Sequence, residues 1–265
     1  MPDHPARSSL VDHHNNGQLE PPWRAGLRSA RANLVPGLAL QAVALALVLA
    51  YYHIDRFGDA LDRFADWHMD IGLLVPVVST ALCGGLIPFL YLRCRRATRA
   101  AQSGRRGITL TTFWALKGAE ISFLYAGLAW IFGADNHPST IAAKTLVDMF
   151  VYCPLWAVPV TWLVYAWVES DFDHRLIARE MRRRGWYRRR VLPILIANLG
   201  VWLPAVAIIY SLPTALQLPL QNVVLCFFTL MLAHLARDDA ATDRLPLPTD
   251  PSAPGRLGSQ SPRRS

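Results

Sequence analysis

Six stretches of this chain are almost free of charge: Leu34–Tyr52, Gly72–Leu92, Leu110–Phe132, Ile141–Val168, Leu192–Tyr210 and Ala215–Ala236. Each is close to the ~20 residues that carry a helix across a ~30 Å hydrocarbon core. A soluble helix keeps a wet face, so its charges recur every few residues. Here the charged residues, 17% of the chain, are gathered between the stretches. Hydrocarbon leaves a backbone no water to bond, so apolar segments of this length are helices. The expected fold is all-α and polytopic, with six transmembrane helices in a domain spanning 34–236. The flanks 1–33 and 237–265 are polar and are expected to lack ordered structure.

The leading flank has no apolar core, which argues against a cleavable secretory signal. Asp3, Asp12 and Glu20 argue against a mitochondrial transit peptide. The four cysteines, Cys83, Cys94, Cys153 and Cys226, form no CxxC and have no histidine at metal-ligand spacing, so no metal and no cofactor is expected. Histidines are scattered, and neither HExxH nor Gly-x-Ser-x-Gly occurs. No base and nucleophile set can be assembled, so the chain is not expected to be an enzyme.

Charge alternates from loop to loop. Arg7, Arg24, Arg28 and Arg31 precede the first stretch, and an acidic linker with Asp55, Asp59, Asp62, Asp66 and Asp70 follows it. The next loop carries Arg93, Arg95, Arg96, Arg99, Arg105 and Arg106, whereas 133–140 has no lysine or arginine. Arginine returns in force between Arg175 and Arg190. Counting positive charges places both termini and the 93–109 and 169–191 loops in the cytoplasm, which requires an even number of spans. The arginine loops are read as topology determinants that meet anionic lipid head groups, not as a nucleic-acid surface. Apolar residues Phe57, Leu61, Phe64 and Trp67 recur at helical spacing in the acidic linker, which is expected to lie on the outer interface as an amphipathic helix.

Against that background the two lysines stand out, because both Lys117 and Lys144 fall inside apolar stretches. A charge at bilayer centre costs roughly 2.5–3.5 kcal/mol on insertion scales. Each lysine has a carboxylate one turn on, Glu120 and Asp148 respectively. Counted from Leu110, Lys117 lies roughly 10 Å deep and Glu120 about 15 Å; counted from Ile141, Asp148 lies about 10 Å below the opposite face. The four groups are expected to meet as one neutral cluster, either pinning two helices together or lining a wet path. Asn198, Gln217, Gln221 and Asn222 add polar capacity to the last two stretches, as inter-helix glue or solute contacts. Gly118, Ser122 and Ala126 form a small-residue stripe for close packing. Prolines recur in or beside the stretches, among them Pro76, Pro154, Pro204 and Pro219, and each frees a backbone group that must find another partner.

The run Lys144-Thr-Leu-Val-Asp148-Met-Phe-Val-Tyr-Cys-Pro154 resembles the middle-helix pattern of the Mpv-seventeen and peroxisomal membrane protein 22 family, with Met149 in place of a glutamine. The resemblance continues through Pro193, Asn198-Leu-Gly-Val-Trp202-Leu-Pro204 and Tyr210, then Pro213, Gln217, Asn222 and Phe228-Thr229. It covers roughly 72–236. It implies an integral membrane protein of four or more helices, of a kind that includes weakly selective small-solute channels.

Two functions follow as expectations. One is a small-solute pore or transporter built on Lys117, Glu120, Lys144, Asp148, Asn198, Gln217 and Asn222. The other is a non-transporting scaffold whose buried charges serve only packing. The expected partners are the bilayer, anionic head groups, small solutes and further copies of the chain, with no nucleic acid. The arginine-heavy, lysine-poor composition points to a bacterial cytoplasmic membrane, with an organellar membrane as the alternative.

Overall fold

The computed structural model describes residues 21–96 and 98–242, and no strand occurs among them. In chain order the helices are α1 (Pro22–Ala32), α2 (Leu34–His53), α3 (Asp55–Ile71), α4 (Leu74–Cys94), α5 (Gly104–Phe132), α6 (Pro138–Glu169), α7 (His174–Arg182), α8 (Trp186–Arg190), α9 (Leu192–Tyr210) and α10 (Thr214–Thr242). Five of them, α2, α4, α5, α6 and α9, are long and apolar enough to cross a membrane. The first part of α10, Thr214–Leu230, is a sixth apolar stretch. The chain is an all-α, multi-pass membrane protein. Its outer surface fits this solvent: Trp130 is 87% exposed and Val35 76%, on helices with little charge to mask them.

The boundaries follow the apolar stretches closely, and the fifth matches residue for residue. The differences lie where polar residues join a helix. Ser103 caps α5, its hydroxyl accepting from the Arg106 amide at 3.3 Å, so the helix starts at Gly104 rather than Leu110. α10 runs on to Thr242, into residues read as a structureless tail. Residues 1–20 and 243–265 of the two flanks lie outside the described residues.

The leading flank needs a correction, since residues 22–32 form helix α1. Pro22 is preorganised for the first turn, and the helix lies along α9. Gly26 makes the fit: a Cβ there would sit 2.8 Å from Cβ of Ile196. The acidic linker forms helix α3, as expected; its inward side is Gly58, Ala65 and His68, with Phe57 and Leu61 half-buried. Phe64 and Trp67 point outward.

Helix α10 is central, packing against α2, α3, α4, α5 and α9, while α6 touches α5 and α9. α5 and α4 meet closely because Gly85 lies on the Thr111 backbone and Gly118 on the Pro76 carbonyl. Ser122 and Ala126 do not extend this contact; Ser122 is half-buried and Ala126 is exposed. At the end away from the arginines, the Tyr52 hydroxyl donates to the Ser211 carbonyl (2.6 Å) and Asn136 donates to Tyr52 (2.6 Å). These bonds tie α2, the α5–α6 loop and the α9–α10 turn together. At the arginine-rich end, the Arg105 guanidinium lies 3.8 Å from the Phe172 ring centroid. α9 starts beside Val158, which packs on Val191 and Leu195, so the last turns of α6 run past it.

The prolines find their compensation. Pro204 has no N–H for the Gly200 carbonyl, and Gln41 of α2 donates there at 3.4 Å and to the Val201 carbonyl at 3.0 Å. Pro219 likewise frees the Ala215 carbonyl, which lies 3.1 Å from His68 Nδ1, the nitrogen that carries the proton in this bond. Gln41→Leu is therefore expected to destabilise the bundle by about 1 kcal/mol, the usual worth of an inter-helix hydrogen bond in a membrane. Unfolding of purified protein in detergent measures it.

Candidate functional site

The four predicted charges divide into separate arrangements rather than one cluster. With α5 beginning at Gly104, Lys117 lies about 20 Å along it, near the middle of the helix. Its ammonium donates to Glu120 Oε1 at 2.7 Å, across one helical turn. The rings of Phe113 and Tyr152 stand 5.9 and 5.7 Å from the same nitrogen, close enough for cation–π attraction. Glu120 also accepts from the Tyr152 hydroxyl of α6, so this pair bridges two helices. Lys117 is almost fully buried, whereas the Glu120 side chain retains 30% exposure.

Asp148 is buried and bonded elsewhere. Its Oδ2 accepts from the Tyr210 hydroxyl of α9 at 2.8 Å. Its Oδ1 lies 3.7 Å from the Cys153 thiol. That second contact is a product of local geometry: α6 is a π-helix over Asp148–Ala157, so residues five apart align. Pro154, inside the segment, cannot supply an α-helical N–H, which favours the wider winding. The Tyr210 ring packs edge-on against Tyr125 of α5 with centroids 5.3 Å apart, and the Tyr125 hydroxyl donates to Gln221 of α10. An interrupted run of polar side chains thus spans α5, α6, α9 and α10 within the apolar core, its Lys117–Glu120–Tyr152, Cys153–Asp148–Tyr210 and Tyr125–Gln221 groups joined by no hydrogen bond among the described residues.

Lys144 does not pair with Asp148. It is 1% exposed, and among the described residues no hydrogen bond or ion pair reaches it. The one-turn spacing brings the two side chains near, but Tyr210 and Cys153 already hold the carboxylate. Asn222 serves α4 instead, donating to Ser79 (2.8 Å) and accepting from Thr80 (2.9 Å). Gln217 donates to the Leu212 carbonyl at 2.9 Å, and its own oxygen has no partner. Asn198 stays apart; it is half-buried and makes no hydrogen bond among the described residues.

The tyrosines 125, 152 and 210 are the residues that sequence reasoning missed as site members. A signal existed, since tyrosine normally marks the membrane interface and Tyr125 and Tyr152 fall well inside their spans. Tyr152 also stands four residues after Asp148. Cys83 of α4 and Cys226 of α10 face each other as free thiols, a contact no spacing rule reveals. Outside the spans, the Asp135 carboxylate accepts from the His137 amide at 2.9 Å, which holds it below the ordinary aspartate range.

Chemically the arrangement places ionisable and hydroxyl groups at mid-helix. Among the described residues no three His, Cys, Asp or Glu side chains come together as metal ligands. Two shallow depressions lie around α7, one lined by Arg175, Arg179 and Arg182, and neither involves the polar run. No family model, no curated protein and no solved structure matches this chain.

Proposed function

We propose that this is a membrane protein of the Mpv-seventeen type that passes small polar solutes along the α5–α6–α9–α10 junction. The observation that carries the reading is the set of three polar groups on these helices, Lys117–Glu120–Tyr152, Cys153–Asp148–Tyr210 and Tyr125–Gln221, with the Tyr210 and Tyr125 rings in contact. Intramembrane ionisable groups facing a bundle interior are costly and tend to mark pathways. The π-helical winding at Asp148–Ala157, and a second at Ala81–Leu86, supports the same reading, because such segments recur at functional positions. Charge counting sets the Tyr52–Asn136–Ser211 end outside and the arginine loops at the anionic cytoplasmic head groups. The affiliation itself rests on the spacing of Lys144, Asp148 and Pro154. A bacterial cytoplasmic membrane is the proposed location.

Flux from proteoliposomes tests this. Wild type is expected to release small organic anions and sugars faster than empty vesicles. Asp148→Asn is expected to slow that release about tenfold, equivalent to ~1.4 kcal/mol on the barrier. Equal leakage from loaded and empty vesicles across solute sizes and charges rejects passage. The scaffold reading has its own support, because Lys117–Glu120 and Asp148–Tyr210 each satisfy one another without any solute. It predicts undisturbed function when the first pair is replaced by apolar residues.

A further inference from the structure

The arginine-rich end of the bundle carries two adjoining depressions of opposite character. One is lined by Arg175, Ala178, Arg179 and Arg182 of α7. The other is an apolar groove between α6 and α7, lined by Leu163, Val164 and Trp167 on one side and by His174, Ile177, Ala178 and Met181 on the other. Ala178 belongs to both, so the two are contiguous around the smallest of the lining side chains. The spacing along α7 produces this juxtaposition. Arg175, Arg179 and Arg182 recur at i, i+4 and i+7 and share one face, while His174, Ile177 and Met181 recur at i, i+3 and i+7 on the next. The carboxylates on and before α7 are committed elsewhere. Asp173 caps the helix, accepting from the Arg175 and Leu176 amides, and Glu180 takes Arg183 at 3.4 Å and Arg190 at 3.0 Å. The guanidinium groups of Arg175, Arg179 and Arg182 are exposed and make no hydrogen bond or ion pair among the described residues.

Arginines that only set topology need no groove beside them, so the positive-inside rule accounts for the charge here and not for the shape. The groove reaches Leu163, six residues before the end of α6 at Glu169, which is about 9 Å into the apolar layer. Trp167 lies between the two levels, where an aromatic ring suits the membrane interface. Cation, ring and hydrocarbon wall thus follow one another into the bilayer, the order of phosphate, glycerol ester and acyl chain in a phospholipid. Guanidinium groups grip phosphate oxygens in pairs, and three of them line one concavity. We propose that α7 and the last turns of α6 form a discrete site for one anionic phospholipid, its phosphate on Arg175, Arg179 and Arg182 and an acyl chain in the groove beside Leu163 and Met181. Such a site has a stoichiometry and a chain contact, which the diffuse attraction of basic loops for head groups lacks. It holds whether or not the bundle passes solutes.

The test is native mass spectrometry of the full-length protein in detergent, titrated with dioleoyl phosphatidylglycerol or dioleoyl phosphatidylcholine. One phosphatidylglycerol is expected to bind ahead of all others, phosphatidylcholine is not, and millimolar inorganic phosphate is expected to leave the bound lipid in place. Changing Arg175, Arg179 and Arg182 together to Gln should raise the Kd for that first lipid roughly a hundredfold, at about fivefold per arginine. Changing Arg184, Arg188 and Arg189 to Gln removes the same charge from the same loop and should leave the Kd within about twofold, because none of them lines either depression. Ala178→Trp keeps every charge and fills the junction of the two depressions, so it should also weaken the first lipid about tenfold. Equal binding of the two lipids, or equal losses in the two triple variants, shows diffuse attraction and overturns the site. Wild-type affinity in Ala178→Trp, or displacement of the lipid by inorganic phosphate, overturns the chain contact and with it the proposal. A lowered unfolding temperature of the Arg175, Arg179 and Arg182 variant without lipid also overturns it, since those side chains would then hold the fold. Flux from proteoliposomes, measured on the same variants, tests the passage separately.

Discussion

Glu120→Leu alone is expected to destabilise the protein by about 3–5 kcal/mol, whereas Lys117→Met with Glu120→Leu should fall within about 1 kcal/mol of wild type. The single change strands a buried ammonium in the middle of α5, with the Phe113 and Tyr152 rings left to face it. Ring faces contribute on the order of 1 kcal/mol, well below what the carboxylate does. Lys117→Met alone leaves Glu120 with its Tyr152 bond and partial exposure, so it is expected to cost less than Glu120→Leu. The double change removes both charges and replaces them with side chains that suit the site. Denaturation in detergent of all four proteins gives the coupling energy directly. A double variant as unstable as Glu120→Leu would mean that the pair is required for folding in itself, and it would remove the comparison on which the scaffold reading depends. A stable double variant is equally informative: flux retained supports glue, and flux lost supports passage.

This pair was legible in the sequence because its geometry is local. Residues three apart on a helix are neighbours whatever the rest of the chain does, so Lys117 and Glu120 meet as the spacing implies. The same rule fails at Lys144 and Asp148, since a carboxylate goes to the donors that tertiary structure brings to it. Tyr210 arrives from 62 residues away, and Cys153 through a π-helical register that no periodicity of 3.6 anticipates. The spans were readable for a simpler reason: hydrocarbon tolerates so few charges that the boundaries print themselves in composition. What composition misses is structure held by contact rather than by burial of a long apolar run. Helix α1 has only one apolar face, and its place is set by Gly26 against Ile196, which no property of residues 22–32 reveals alone. The rescue of Pro204 by Gln41 was foreseeable in kind but not in identity.

Gly118→Ala is expected to cost roughly 3 kcal/mol, the upper end of the range for overpacking, although alanine is the better helix former. A Cβ at this position would sit 2.3 Å from the Pro76 carbonyl oxygen and 2.8 Å from its carbon, and neither is a flexible side-chain tip. Separation of α5 from α4 is the available relief, and it strains a second contact along the same seam, where Gly85 lies against Thr111. Gly127 supplies the control, because it lies on the same helix with nothing within 4 Å of its missing Cβ. There the propensity term acts unopposed, so Gly127→Ala should stabilise by up to about 1 kcal/mol. Comparing the two unfolding curves therefore separates packing from propensity within one helix. Lys117 precedes Gly118 directly, so a displaced α5 also carries Glu120 away from Tyr152. Gly118→Ala is accordingly expected to slow flux in those molecules that still fold, and Gly127→Ala to leave it unchanged. Equal stability of the two variants would show that α4 and α5 are not held at this distance.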